Sequence, residues 1–258
     1  MKNVIKKILK KLGFVILKKE HYQKLSSEML KPKHLNHTIH LDFLMRLLKD
    51  IGYKPNMIFD IGANRGGWTA SALEYFPNAN YILFEPQANL ANEIKNRFSE
   101  KPNIQCFTIG VGNQKATLHF TLHERDDSCN FLMTKEEADA QGYQQIEVPV
   151  VALDAFIREQ NVQNPDILKI DAEGIDLQVL EGARETIKNH TEVVLVEVAI
   201  INPMFENTAL AVMEKMDSWG FKLFDITDLN RPFEPKVLWL SEFVFIRKNG
   251  ILNKVYHQ

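Results

Sequence analysis

Residues 57–67 read Met57-Ile58-Phe59-Asp60-Ile61-Gly62-Ala63-Asn64-Arg65-Gly66-Gly67, an apolar run that passes through an acid into a glycine-rich turn. Phe84-Glu85-Pro86 follows one strand–helix–strand unit later. A strand ending near Asp60, a turn holding Gly62, Gly66 and Gly67, and a second strand ending at Glu85 are what a nucleoside-binding α/β domain places at the carboxyl edge of its sheet. Gly62 admits a backbone conformation closed to other residues and lets a ligand approach, while Gly66 and Gly67 open the next helix close to the strand. The second glycine of a dinucleotide fingerprint is replaced by Asn64, which disfavours a pyrophosphate there.

Outward from this unit the chain alternates. Strands are expected at 57–61, 80–85, 103–109, 115–122, 146–152, 165–171 and 192–198, with helices at 37–50, 67–76, 87–99, 153–160, 175–188 and 207–219. Strands separated by helices imply a largely parallel sheet covered on both faces. The last two strands, 221–226 and 238–247, are joined by a loop alone, so the final strand is expected to run antiparallel to its neighbour. Residues 123–145 are polar and read as an insertion or lid over the carboxyl edge. The domain is expected to span residues 37–258, with residues 1–36 an extension.

Cys106 and Cys129 give no disulfide framework, and no apolar stretch approaches the ~20 residues of a membrane span, so a reducing cytoplasm is the expected compartment. The net charge of −2 hides an asymmetry: residues 1–24 carry eight lysines against Glu20, a net +7, which leaves −9 for the remainder. In the tail Val4, Ile5, Ile8, Leu9 and Leu12 recur at helical spacing, with Lys2, Lys6, Lys7, Lys10 and Lys11 opposite them. Such a basic amphipathic helix suits an anionic membrane surface at the inner face, or packing on the domain or a partner. The acidic body speaks against nucleic acid, and lysines within the apolar stretch speak against a signal peptide.

Asp60 would repel a phosphate and accept from an ammonium, and Glu85 is placed to accept from both hydroxyls of a ribose. S-adenosylmethionine, with an ammonium, a sulfonium and a ribose diol, fits these demands. The cofactor site is therefore expected at Asp60, Gly62, Asn64, Gly66, Glu85 and Pro86, with Gly110 and Gly112 bordering the adenine after the third strand. Three further stretches stand out: Val151-Ala152-Leu153-Asp154, Leu168-Lys169-Ile170-Asp171-Ala172-Glu173-Gly174, and Val179-Leu180-Glu181-Gly182. With the 59–68 and 84–86 segments they resemble the FkbM-type methyltransferases over roughly residues 40–248. The resemblance implies a Rossmann-like class I fold with a seven-stranded sheet, S-adenosylmethionine as donor, and methylation of a hydroxyl on a sugar, polyketide or other metabolite. Asp176 departs from it, because the family more often has Glu there.

Asp171 and Glu173 emerge at the carboxyl end of their strand, and Glu197 ends the very apolar strand 192–198. These three are the expected catalytic residues, Asp171 first, as base or as the group that orients the acceptor; Asp171 also borders the cofactor. Glu173 alternatively complements a helix dipole. The same carboxylates raise Mg²⁺ as a competing account, which is not favoured, and no metal ligand is assigned. His34, His37 and His40 lack a cysteine partner and read as surface or capping residues, while His119 and His123 flank the insertion. Arg65 either is solvated or faces an anionic acceptor, and Trp68 either packs in the core or borders the methionine moiety. An N-methyltransferase and a non-catalytic nucleoside-binding scaffold anchored by the tail are the alternatives, and the sequence leaves the oligomeric state open.

Overall fold

A computed structural model describes residues 38–124 and 129–255. The amino-terminal basic helix, His34 and His37 lie outside the described residues. The elements in chain order are α1 (Thr38–Asp50), β1 (Met57–Ile61), α2 (Gly67–Tyr75), β2 (Asn80–Phe84), α3 (Ala88–Arg97), β3 (Ile104–Phe107), β4 (Gly110–Gly112), β5 (Ala116–Leu122) and α4 (Lys135–Gln141). They continue as β6 (Gln144–Ala152), α5 (Leu153–Gln160), β7 (Ile167–Ile170), α6 (Asp176–Gly182), α7 (Arg184–Asn189), β8 (Val193–Ala199), α8 (Ala209–Ser218), β9 (Phe221–Asn230), β10 (Leu240–Arg247) and α9 (Ile251–Val255).

The main sheet has seven strands in the order β3-β2-β1-β7-β8-β10-β9. All pairs are parallel except those of β10, which runs antiparallel to both β8 and β9. The expected α/β class, seven-stranded sheet and antiparallel last strand all hold. The apolar runs of β1, β7 and β8 are buried on both faces, as a sheet between two helical layers requires. Phe59, Ile61, Leu168, Ile170, Val194 and Val196 face a core completed by Phe156, Val179, Leu180, Ile187, Val212 and Met216 of α5–α8. The alternate residues Ile58, Ile167, Val193 and Leu195 face Leu44, Leu48, Ala72 and Ile94 of α1–α3. The period of two along each strand thus assigns each side chain its layer.

Three details differ from the sequence expectation. The strand expected at 103–109 breaks after Phe107, and β4 leaves the main sheet to pair with β6 in a separate three-stranded sheet, β4-β6-β5. At Gly110 an added Cβ would lie 3.0 Å from Val150, and at Gly112 2.8 Å from it, so the small residues admit this close pairing. The helix expected at 175–188 divides into α6 and α7 where Gly182 packs on β4; a Cβ there would sit 1.9 Å from the carbonyl oxygen of Gly112. Strand 221–226 extends to Asn230. The 123–145 insertion contains α4, started by a Thr134–Glu137 capping box.

Candidate active site

The turn after β1 is held by the strand beside it. The N–H groups of Gly62 and Ala63 both donate to the Phe84 carbonyl at 3.0 Å, and Gly62 has φ +74°. A Cβ at Gly62 would lie 1.7 Å from the Asp171 carbonyl oxygen, so only glycine lets this turn lie against the end of β7. Asn64 also has positive φ, 48°. Its N–H donates to Oε2 of Glu85 at 2.8 Å, while the N–H of Gln87 donates to Oε1 at 2.8 Å. Each carboxylate oxygen of Glu85 is thereby fixed by one backbone donor and keeps further acceptor capacity towards the cleft.

That cleft encloses about 660 Å³ with its open mouth included. Gly62, Asn64, Glu85, Pro86, Gly110, Asp171 and Glu173 of the expected residues line it, joined by Gln87, Ile109, Phe120 and Phe131. Asp60, Gly66, Gly112 and Glu197 do not, although Glu197 stands beside the lining acids Asp171 and Glu173. Gly66 sits behind the wall, where a Cβ would meet Phe98 at 2.7 Å, and Gly112 serves the contact of β4 with Gly182.

Asp60 is fully buried in β1. Its Oδ2 accepts from Thr69 Oγ1 at 2.6 Å and its Oδ1 lies 3.6 Å from Lys169 Nζ. The ammonium that Asp60 meets is therefore the protein's own. Lys169, 4% exposed and paired across from Asp60 in register, also donates to the Gly62 carbonyl and to Asp171 Oδ2, each at 3.1 Å. Burial opposes its charge, but the carboxylates of Asp171, Asp60 and Glu242 prevail and hold the ammonium above its ordinary pKa. Burial raises Asp60 despite Lys169 and Thr69. One lysine thus ties the Gly62 turn to the acid at the end of β7.

Asp171, Glu173 and Glu197 come together, with carboxylate oxygens within 4.8 Å of one another. Glu173 adopts a left-handed conformation, φ 52°, ahead of Gly174 at φ 104°. Asp176, the first residue of α6, closes the turn ahead of it: its Oδ1 accepts from the Ala172 N–H at 2.8 Å and its Oδ2 from Gly174 N–H at 3.3 Å and Asn207 Nδ2 at 3.2 Å. Asn207 Nδ2 also reaches the Glu197 carbonyl at 2.8 Å, so the turn and the end of β8 share one clamp. Burial lifts the Asp176 carboxyl to about 6. The shorter acid at this position makes a complete set of local contacts.

The insertion reaches the cleft through Phe131. Its N–H donates to the Glu173 carbonyl at 3.3 Å, and its ring lies 4.6 Å from that of Phe120. An aromatic residue inside an otherwise polar segment was the available signal for it, as a lysine inside the apolar run Ile167–Ile170 was for Lys169. The remaining candidates lie elsewhere. Arg65 is exposed and ion-paired with Glu93, and Trp68 packs against the α1–α3 core. His119 is exposed; the His123 ring lies tilted against that of Tyr143, and His123 lines a neighbouring cleft. His40 lies in α1, remote in sequence and element from these acids.

Comparison with known proteins accords with this geometry. "Methyltransferase 1" of Beauveria bassiana is 22% identical over 208 residues, covering 70% of this chain and 84% of the relative. "2-O-methyltransferase NoeI" of Sinorhizobium fredii is 22% identical over 146 residues, covering 52% of this chain and 60% of that one. The crystal structure of methyltransferase FkbM from Methylobacillus flagellatus shares the fold with a TM-score of 0.51 at 17% identity. The alignment covers 74% of this chain, which spans less than half of that protein, 43% of its length. Residues 60–223 match the model of the methyltransferase FkbM domain, and the chain belongs to that family.

Proposed function

We propose that the protein transfers a methyl group from S-adenosylmethionine to a hydroxyl of a sugar, glycan or other small metabolite. The observation that carries the donor is Glu85, whose two oxygens are each fixed by one backbone N–H at the cleft wall and remain open to a vicinal diol. The glycine cradle at Gly62, closed to any Cβ, fits a ligand lying against the backbone. Bound there, S-adenosylmethionine supplies an electrophilic methyl group on a sulfonium. Asp171, fixed by Lys169, orients the acceptor hydroxyl, and the neighbouring Glu173 and Glu197 provide the acid–base capacity that removes its proton. A relative named as a 2-O-methyltransferase supports a hydroxyl acceptor. A surplus of carboxylates suits a neutral acceptor and disfavours one with an anionic group beside the reacting oxygen.

Lys169 already engages Asp171, so the three acids are read as proton-handling groups, and no Mg²⁺ step is invoked. An amine acceptor would have to shed its proton before attack, in surroundings that favour the ammonium form, which makes N-methylation the weaker reading. A silent scaffold would have no use for the clamped acids at the cleft.

Titration calorimetry tests the donor. S-adenosylmethionine and S-adenosylhomocysteine are expected to bind the wild type, and Glu85→Ala is expected to weaken both by about 1–3 kcal/mol through loss of charged hydrogen bonds. No binding to the wild type would sink the reading. A labelled-methyl screen over glycans and small hydroxylated metabolites then addresses the acceptor.

A further inference from the structure

The carboxylate oxygens of Asp171, Glu173 and Glu197 lie within 4.8 Å of one another. Oε2 of Glu197 is sealed from solvent and has no hydrogen-bond partner among the described residues. Three ionised carboxylates at this separation repel one another, and an ionised oxygen without a donor has lost its solvation, so the cluster is stable with a proton on it. Asp171 is the member paired with an ammonium, Lys169 at 3.1 Å. Glu197 is the member with the orphaned oxygen.

The surrounding charges act the same way. Asp176 heads α6, Glu242 of β10 is the cross-strand partner of Glu197, and Asp60 on β1 and Glu85 after β2 stand two and three strands away from β8. Lys169 of β7 is the one cation among these groups. Burial, then the charges of Asp171, Glu173 and Asp176, hold the Glu197 carboxyl well above the usual carboxylate range, with Lys169 opposing them.

We propose that Glu197 carries a proton while the cleft is without its donor and releases it when a sulfonium enters, so that donor binding itself generates the base. This rests on the methyl-transfer reading above. The cleft sets the ligand's direction: with the ribose on Glu85 at the β2 side, the sulfur end lies towards Asp171 and Glu173 at the β7 side. A positive charge roughly 8 Å away, at an effective dielectric of roughly 20, changes a carboxyl's proton affinity by on the order of thirtyfold. Glu197 then takes the hydroxyl proton as the acceptor oxygen bonds to the methyl carbon. The carbon–sulfur bond breaks, its electron pair discharges the sulfonium, and the proton on Glu197 restores the starting state. The product, S-adenosylhomocysteine, has no sulfonium and leaves Glu197 protonated.

Calorimetry of the full-length protein at about pH 7, in phosphate and in Tris, reads proton release from the difference in buffer heat. The wild type is expected to release about half a proton or more beyond the S-adenosylhomocysteine value when it binds S-adenosylmethionine. Glu197→Gln is expected to abolish that excess while still binding both ligands. Release from Glu85 is common to both ligands and cancels, and the variant's own difference removes any unequal contribution of the ligands' amino groups. Equal release in the wild type, or an excess that survives in Glu197→Gln, overturns the proposal. Should that variant fail to fold, infrared difference spectra of the wild type decide: S-adenosylmethionine must remove more protonated-carboxyl intensity than S-adenosylhomocysteine, whose binding draws on Glu85 alone. Equal loss with both overturns the proposal. Binding of neither ligand would sink the donor assignment itself, a distinguishable result.

Discussion

Glu85 joins structure to pH. Burial lifts its carboxyl to about 7, against the opposing N–H donors of Gln87 and Asn64 and the charge of Lys169. A ribose diol donates to the ionised carboxylate, so below that pH a proton must leave before the ligand binds. The Kd of S-adenosylhomocysteine, measured calorimetrically from about pH 8 to about pH 5.5, is expected to weaken by roughly tenfold per pH unit below about 7, and Glu85→Gln is expected to flatten the profile. A pH-independent wild type would show that Glu85 does not hold the diol. The ligand-free fold has the opposite sign. Glu85 and Glu242, raised to about 7, and Asp176, raised to about 6, keep protons that the unfolded chain gives up near the ordinary carboxylate value. Their stabilising contribution is full below that value and is lost as the pH rises through about 6 to 7. At this scale the positions of Glu85, Asp171, Glu173 and Glu197 near strand ends were legible because hydrophobic runs mark where strands stop. The sequence misdirected Asp60, because a partner 109 residues away in the chain, Lys169, is brought to it only by strand register.

Elements were legible where one period dominates. β1, β7 and β8 are near-continuous apolar runs, and their parallel order follows from the helices between them. The break between β3 and β4 and the split of α6 from α7 left no periodic mark, since both arise from one contact between two glycines far apart in sequence, Gly112 and Gly182. A Cβ on Gly182 would stand 1.9 Å from the Gly112 carbonyl oxygen, a backbone atom that cannot swing aside as a side chain would. Gly182→Ala is therefore expected to destabilise by about 3 kcal/mol in urea unfolding, at the upper end of ordinary overpacking. Gly67 is the control. It begins α2 with nothing within 4 Å of an added Cβ, so Gly67→Ala is expected to be neutral or slightly stabilising through the unfolded chain. Equal effects at the two positions would show that β4 and α6 do not meet as described.

For the whole molecule, the determining quantity is the separation of charge along the chain: net +7 over residues 1–24 against −9 over the rest. No helix among the described residues is long and apolar enough to cross a membrane. In the tail itself lysines interrupt the apolar residues, so attachment through it is expected to be a surface one, built from apolar residues at helical spacing and a row of lysines, each worth roughly 1 kcal/mol near anionic lipid. We propose that residues 1–24 dock the enzyme on such a surface, bringing the cleft to acceptors held there. The acidic body limits how it docks, because lipid of the same sign repels it and leaves the tail as the contact. The full-length chain is expected to co-sediment with vesicles containing phosphatidylserine and not with pure phosphatidylcholine vesicles. Raising the salt from about 0.1 M to about 1 M, which shortens the screening length from roughly 10 Å to roughly 3 Å, should release most of it. Deletion of residues 1–24 should abolish binding while the truncated chain keeps its affinity for S-adenosylhomocysteine. Vesicle binding that survives the deletion would move the contact onto the domain and end the tail's role as the membrane-binding element.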